Sequence, residues 1–173
     1  MRGGVIRLGI VVIGINLFFA YIGLYFLPQS ESHPPKELKI QEGVTIDELI
    51  EIGEQILFGK GQCMVCHPMK AEPGMRSPAI EGIGKRMEEE AKKRNMKPED
   101  YIFEALVNPG AYVEKGYDNI MPPVHKPPIL LSEGELIALT AFLQSKGGSV
   151  TVSYPASLEA LRAQITKAER GGK

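Results

Sequence analysis

The densest chemistry in this chain lies in five consecutive residues, Cys63-Met64-Val65-Cys66-His67. Two thiols separated by two residues can add across the two vinyl groups of one haem. The histidine that follows the second thioether is then held beneath the iron, with an imidazole nitrogen as proximal ligand. This C-x-x-C-H spacing is the attachment signature of c-type haem. Two other chemistries use similar residues. A thioredoxin-like redox pair expects an α/β setting, and a zinc site needs two further ligands. Adjacent Cys66 and His67 are also poorly placed to bind one tetrahedral ion together. The expected cofactor is therefore one haem c, attached covalently through Cys63 and Cys66. These are the only cysteines in 173 residues, which excludes a disulfide-dense scaffold and any four-cysteine cluster within the chain.

The elements that must hold this motif are all helical. Thr45 and Glu48 form a capping-box pattern, opening a helix that runs to about Phe58. Its apolar face uses Ile46, Leu49, Ile50, Gly53, Ile56 and Leu57. Gly59 and Gly61 break it just before Cys63. A proline- and glycine-bearing loop over 68–84 leads to a short charged helix near 85–95, with Glu88/Lys92 and Glu89/Lys93 at i,i+4. Pro98-Glu99-Asp100 suits the first turn of another helix, ended by Asn108-Pro109-Gly110. Four prolines stiffen residues 121–131. Ser132 and Glu135 form a second capping box, opening a helix to about Ser145. Residues 156–169 read as a last amphipathic helix with Leu158, Leu161 and Ile165 on one side. The fold class expected is all-α, with too little hydrophobic bulk of its own unless a cofactor fills the centre.

Residues 45–147 resemble a class I (monohaem) cytochrome c domain. The matching features are the Gly53-containing helix, CMVCH, the stretch Ser77 to Gly84, the stretch Gly116-Tyr117-Asp118-Asn119-Ile120-Met121-Pro122, and LSEGELIALTAFLQS. In that family the first and last helices cross near the haem edge, and a methionine before proline is the distal ligand. The resemblance implies His67 as proximal and Met121 as distal iron ligand. It further implies that the Pro78 carbonyl orients the His67 ring, and that Ile80, Tyr117 and Phe142 surround the haem. One departure is visible: the family often places an aromatic four residues after the helix glycine, where this chain has Leu57, with Phe58 next.

The other methionines fit the distal role less well. Met64 lies inside the motif, and Met69 and Met75 are too close in sequence to His67 to reach the opposite haem face. Met87 and Met96 lie on or beside the charged helix, where packing is expected. His125, four residues beyond Met121, is the rival ligand; its plainer reading is a surface or propionate-contacting histidine.

The head of the chain is different in kind. Leu8 to Leu27 contains no charge, and twenty helical residues rise about 30 Å, enough to cross a bilayer core. Arg2 and Arg7 precede it, an arrangement that by the positive-inside tendency leaves the N-terminus in the cytoplasm and the body on the periplasmic side. The run is longer than a signal h-region and lacks an A-x-A exit. Residue 1–27 is thus read as a retained anchor, 28–44 as a Pro-rich tether that could extend roughly 50 Å, 45–147 as the haem domain and 148–173 as an extension. Asn16 in mid-span either bonds a neighbouring helix or is tolerated facing lipid. No acidic residue precedes Glu31; the 20 basic residues less Arg2 and Arg7 leave 18 against 21 acidic ones in the remainder. That balance argues against a nucleic-acid partner.

With both axial positions filled, substrate chemistry at iron is disfavoured and one-electron exchange remains. The expected function is a non-enzymatic, membrane-anchored electron-transfer protein of a prokaryotic inner membrane, serving redox donor and acceptor proteins. It would act either as a free tethered shuttle or, as the extension suggests, as a subunit of a respiratory or photosynthetic complex. The alternative is a haem-based gas sensor or peroxidase-like protein with a labile distal ligand.

Overall fold

The structure, a computed structural model, describes residues 2–26 and 40–171. Leu27, most of the expected tether and His33 lie outside the described residues. The chain divides into two compact units, Met1–Lys36 and Glu37–Lys173. Both are helical, and no strand occurs among the described residues.

The first unit contains α1, Arg2–Tyr25. Its segment Gly3–Tyr25 is long and apolar enough to span a membrane, and none of its most apolar stretch is buried. The amide of Asn16 donates from Nδ2 to the Val12 carbonyl at 2.8 Å. The side chain is exposed and bonds within its own helix, an arrangement compatible with its facing lipid. An internal bond lowers the cost of carrying an amide through an apolar phase.

The second unit holds α2 (Ile46–Phe58), α3 (Ile83–Lys93), α4 (Pro98–Val107), α5 (Glu133–Ser145) and α6 (Leu158–Gly171). Both capping boxes form. Thr45 Oγ1 accepts from the Glu48 N–H at 3.2 Å while Glu48 accepts from the Thr45 N–H at 2.8 Å. Ser132 and Glu135 make the same reciprocal pair, satisfying helix-start donors that would otherwise be orphaned. The buried Glu135 carboxylate also receives Lys60 Nζ at 2.7 Å, so its charge is compensated.

The largest helix–helix contact is between α2 and α5, and Gly53 is the reason it can be so close. A Cβ at Gly53 would lie 2.1 Å from the Ala138 carbonyl oxygen and 2.6 Å from Phe142 Cβ. The position after this crossing is also decided: Leu57 is fully buried, while Phe58 is 54% exposed. Leu57 is thus the core residue of the two, and Phe58 faces outward. A second backbone approach joins α3 to the end of α5. A Cβ at Gly84 would meet the Gln144 carbonyl oxygen at 2.4 Å, and the Gly84 N–H donates to Lys146 O at 3.1 Å.

The charged helix pairs differently from the expectation. Lys93 bonds Glu90 at 2.5 Å, an i,i+3 pair, and Glu88 accepts from the Ser149 N–H instead of pairing along its helix. The extension is neither frayed nor free. Leu161 is fully buried, Val152 nearly so, and Leu158 and Ile165 pack against the core. Gln144 holds Thr151 through two hydrogen bonds, Oε1 from Thr151 N at 2.9 Å and Nε2 to Thr151 Oγ1 at 2.8 Å. Arg162 forks onto Glu133 at 2.7 and 2.9 Å. The apolar stripe of α6 is therefore spent on α4 and α5 of its own chain, which removes it from the surfaces available for docking a further subunit.

Candidate functional site

The CMVCH segment is shaped by what precedes it. The Gly61 N–H reaches back to Ile56 O at 2.8 Å, closing α2. A Cβ at Gly61 would lie 2.7 Å from that oxygen and 3.1 Å from Cys63 Sγ, so only glycine leaves room for the thiol. Gln62 adopts φ 52°, a left-handed turn that reverses the chain. Cys63–Val65 then form a 3₁₀ turn. The Cys66 and His67 N–H groups both donate to Cys63 O, at 3.1 and 2.8 Å. The Val65 N–H donates to Gln62 O at 3.1 Å, so the motif is one compact coil.

The His67 ring is oriented from outside that coil. Its Nδ1 lies 2.9 Å from the Pro78 carbonyl oxygen. A carbonyl can only accept, so Nδ1 carries the hydrogen and Nε2 keeps its lone pair for an electrophile. Residues 77–81 are laced to the motif and to the two residues after it by three further bonds. Ser77 Oγ donates to the Cys66 carbonyl, Ile80 N–H to Pro68 O at 2.9 Å, and Glu81 N–H to Met69 O at 2.9 Å. Arg86 closes the far end by donating to the carbonyls of Ala79 and Glu81.

His67 opens onto a cleft of about 310 Å³, a size within the range of small-molecule and cofactor sites. Six of the eight residues expected at the site line it: Cys63, Cys66, His67, Pro78, Tyr117 and Met121. Ile80 and Phe142 do not. Both are buried, 2% and 1% exposed, in the core behind the wall, because Phe142 is occupied at the Gly53 crossing and Ile80 begins the turn into α3. His125 is not on the wall either. Its two ring nitrogens are buried without partners. Burial, with Lys126 adding to it and Glu169 opposing, holds its pKa below the ordinary value.

Several wall residues were not anticipated. Ile83, Met87 and Glu90 come from α3, and Tyr101 and Ala105 from α4. Their i, i+4, i+7 and i, i+4 spacings were the available signal, since such positions share one helix face. Met87 both packs against the core and lines the cleft. Tyr112 is also on the wall.

Burial pushes the Cys63 thiol up to about 11. A thiol so placed is a poor thiolate source at neutral pH, the opposite of a catalytic redox cysteine. Burial likewise raises Tyr101 to about 12. Among the described residues no group of three or more His, Cys, Asp or Glu side chains is placed to hold a metal ion, so a zinc site built from protein ligands is not assembled around Cys63 and Cys66.

The arrangement fits a covalently held haem. Cys63 and Cys66 would carry the thioethers, His67 Nε2 would face the metal, and the Met121 thioether stands on the wall of the same cleft. No protein-family model and no curated protein matches this chain.

Proposed function

We propose that this chain is a membrane-anchored monohaem c-type cytochrome that passes single electrons on the periplasmic side, either as a tethered shuttle or as a subunit of a respiratory or photosynthetic electron-transfer complex. One observation carries the reading. The Pro78 carbonyl engages His67 Nδ1 at 2.9 Å, on a cleft that also exposes Cys63, Cys66 and Met121. That tautomer leaves Nε2 as a donor atom, and the neighbouring thiols supply the covalent tether.

When bound, haem c supplies reversible one-electron exchange between ferric and ferrous iron. The chain's own residues would govern how that exchange runs. Pro78 fixes the His67 ring, so the proximal nitrogen keeps one direction. Met121 would supply a thioether as the second protein donor to the group, which would favour its reduced state relative to a second histidine. Ile83, Met87 and Ala105 would limit water in the cleft, whereas Val65, 80% exposed, lies at its rim and would allow close approach of a donor or acceptor protein. The apolar α1 supports attachment to a membrane, and Arg2 and Arg7 before its apolar run support a cytoplasmic N-terminus.

The test is expression of the full chain in a host with haem-attachment machinery, followed by purification in mild detergent. Haem that survives denaturing electrophoresis, with a low-spin spectrum indifferent to carbon monoxide, is the expected result. Carbon monoxide binding would instead favour the gas sensor or peroxidase-like protein. Copurifying redox subunits would support the complex, and a lone cytochrome the tethered shuttle.

A further inference from the structure

The segment that carries Met121 has few backbone attachments of its own: the Met121 side chain packs against the core, and the next tie to a helix is the Val124 N–H to Leu106 O at 3.0 Å. From Ala111 to Pro123 its backbone hydrogen bonds are local: Ala111 N–H to Asn108 O, Tyr117 N–H to Glu114 O and Ile120 N–H to Asp118 O. Pro122 and Pro123 have no N–H to donate. Among the described residues, the one hydrogen bond from this segment to another helix is made by a side chain. The Tyr112 hydroxyl donates to Glu90 Oε2 on α3 at 3.1 Å.

The same ring is gripped a second way. The Arg94 guanidinium carbon lies 4.7 Å from the Tyr112 centroid and 5.5 Å from that of Tyr101, and the two tyrosines meet edge to face at 6.1 Å. Guanidinium over an aromatic face is attractive, and more so when partly desolvated. Arg94 is itself held. Its Nη1 stands 2.6 Å from Glu104 Oε1 as an ion pair without hydrogen-bond alignment, while Lys167 of α6 donates to Glu104 Oε2 at 2.8 Å. A continuous line of contacts therefore runs from the C-terminal helix to the loop bearing Met121.

We propose that Tyr112 is the positioning residue for Met121, and that α6 acts on the same loop through Lys167, Glu104 and Arg94. A loop with so few backbone ties loses conformational freedom when its thioether is held in one place. The Tyr112 clasp bears that loss before any ligand is engaged, so Met121 is presented to the cleft already ordered. Lys167 keeps Glu104, and so Arg94, in the place where the Tyr112 ring can stack. The identity of Met121 as an iron ligand rests on the haem reading above; the mechanical link does not.

The experiment uses the full chain, with and without haem, carrying Tyr112→Leu, Tyr112→Phe or Lys167→Met. Tyr112 and Lys167 are both on the surface, so the fold is not at stake. Hydrogen–deuterium exchange is read at the hydrogen-bonded amides of Ala111, Tyr117 and Ile120. Several-fold faster exchange is expected in Tyr112→Leu, less in Tyr112→Phe, which keeps the stacked ring, and a clear increase in Lys167→Met, with α2 unchanged. In the haem-loaded protein the same order is expected in loss of the far-red absorption of methionine-ligated ferric haem and in lowering of the reduction potential. Loop exchange indistinguishable from wild type in Tyr112→Leu would overturn the proposal. Acceleration there without any in Lys167→Met would overturn the role of α6. A chain that takes up no haem would sink the haem reading, while loop exchange would still decide the clasp.

Discussion

Ser77 hands its hydroxyl hydrogen to the carbonyl of Cys66, one residue before the Pro78 carbonyl that engages the His67 ring. The two contacts join the same two segments, so the direction of the imidazole is tied to a serine that does not itself hydrogen-bond the ring. Ser77→Ala should cost about 1 kcal/mol of stability, the usual net worth of such a bond. In the haem-loaded protein it should also shift the reduction potential. Denaturant titration and redox titration of the variant check the two effects separately.

Gly53→Ala puts a methyl group 2.1 Å from the Ala138 carbonyl oxygen. Backbone cannot yield as a flexible side chain can, so α2 and α5 must separate. A loss of about 1–3 kcal/mol is expected from overpacking alone. Gly134→Ala, whose new methyl would have the flexible Ile40 side chain as its nearest neighbour at 3.3 Å, should cost much less. Chemical unfolding of the two variants side by side gives the comparison.

Leu161→Ala distinguishes a packed extension from a loose one. The side chain is fully buried, and truncating a buried leucine costs about 2–5 kcal/mol. Thermal unfolding monitored at the helical signal should show the loss in a single transition shared with α2 and α5. An unchanged midpoint would mean that α6 does not belong to the folded unit.

Glu104 gives the protein an acid-sensitive clamp. Burial opposes its ionisation, but the Lys167 hydrogen bond and the Arg94 cation outweigh it and hold its pKa below the ordinary 4.5. A lowered folded pKa contributes stability that is present above pH 4.5 and lost as pH falls through the folded value. The stability gap between wild type and Glu104→Gln should therefore be full at neutral pH and close progressively below about pH 4.5. Denaturant midpoints measured from pH 7 to pH 3 test the sign.

The two thiols of the haem-free chain should differ in reactivity. Cys66 is exposed, while Cys63 is partly buried with its thiol pushed up to about 11. At pH 8 that leaves Cys63 roughly one part in a thousand thiolate. Alkylation followed by peptide mass spectrometry should label Cys66 first, and equal rates would show that Cys63 is open to water.

The elements of the fold were legible in the sequence because their signals are local. Thr45/Glu48 and Ser132/Glu135 satisfy helix-start donors within three residues, Pro98 can begin a helix but not continue one, and the apolar run of α1 needs no partner to be recognised. The CMVCH motif was equally plain, since its chemistry depends on adjacency along the chain. What needed the tertiary structure were relations between distant segments. Whether Leu57 or Phe58 was buried depended on how α2 sits in the folded unit, where Gly53 lets α5 come close. That crossing also drew Phe142 into the core and away from the cleft. The destination of α6 was hidden for the same reason: an amphipathic stripe shows that a face will be buried but not against what. Here the partner is the chain's own α4, and the charges Lys167, Glu104 and Arg94 that join it to Tyr112 lie far apart in sequence. Periodicity reports which side of an element avoids water; only the packed structure decides what that side meets.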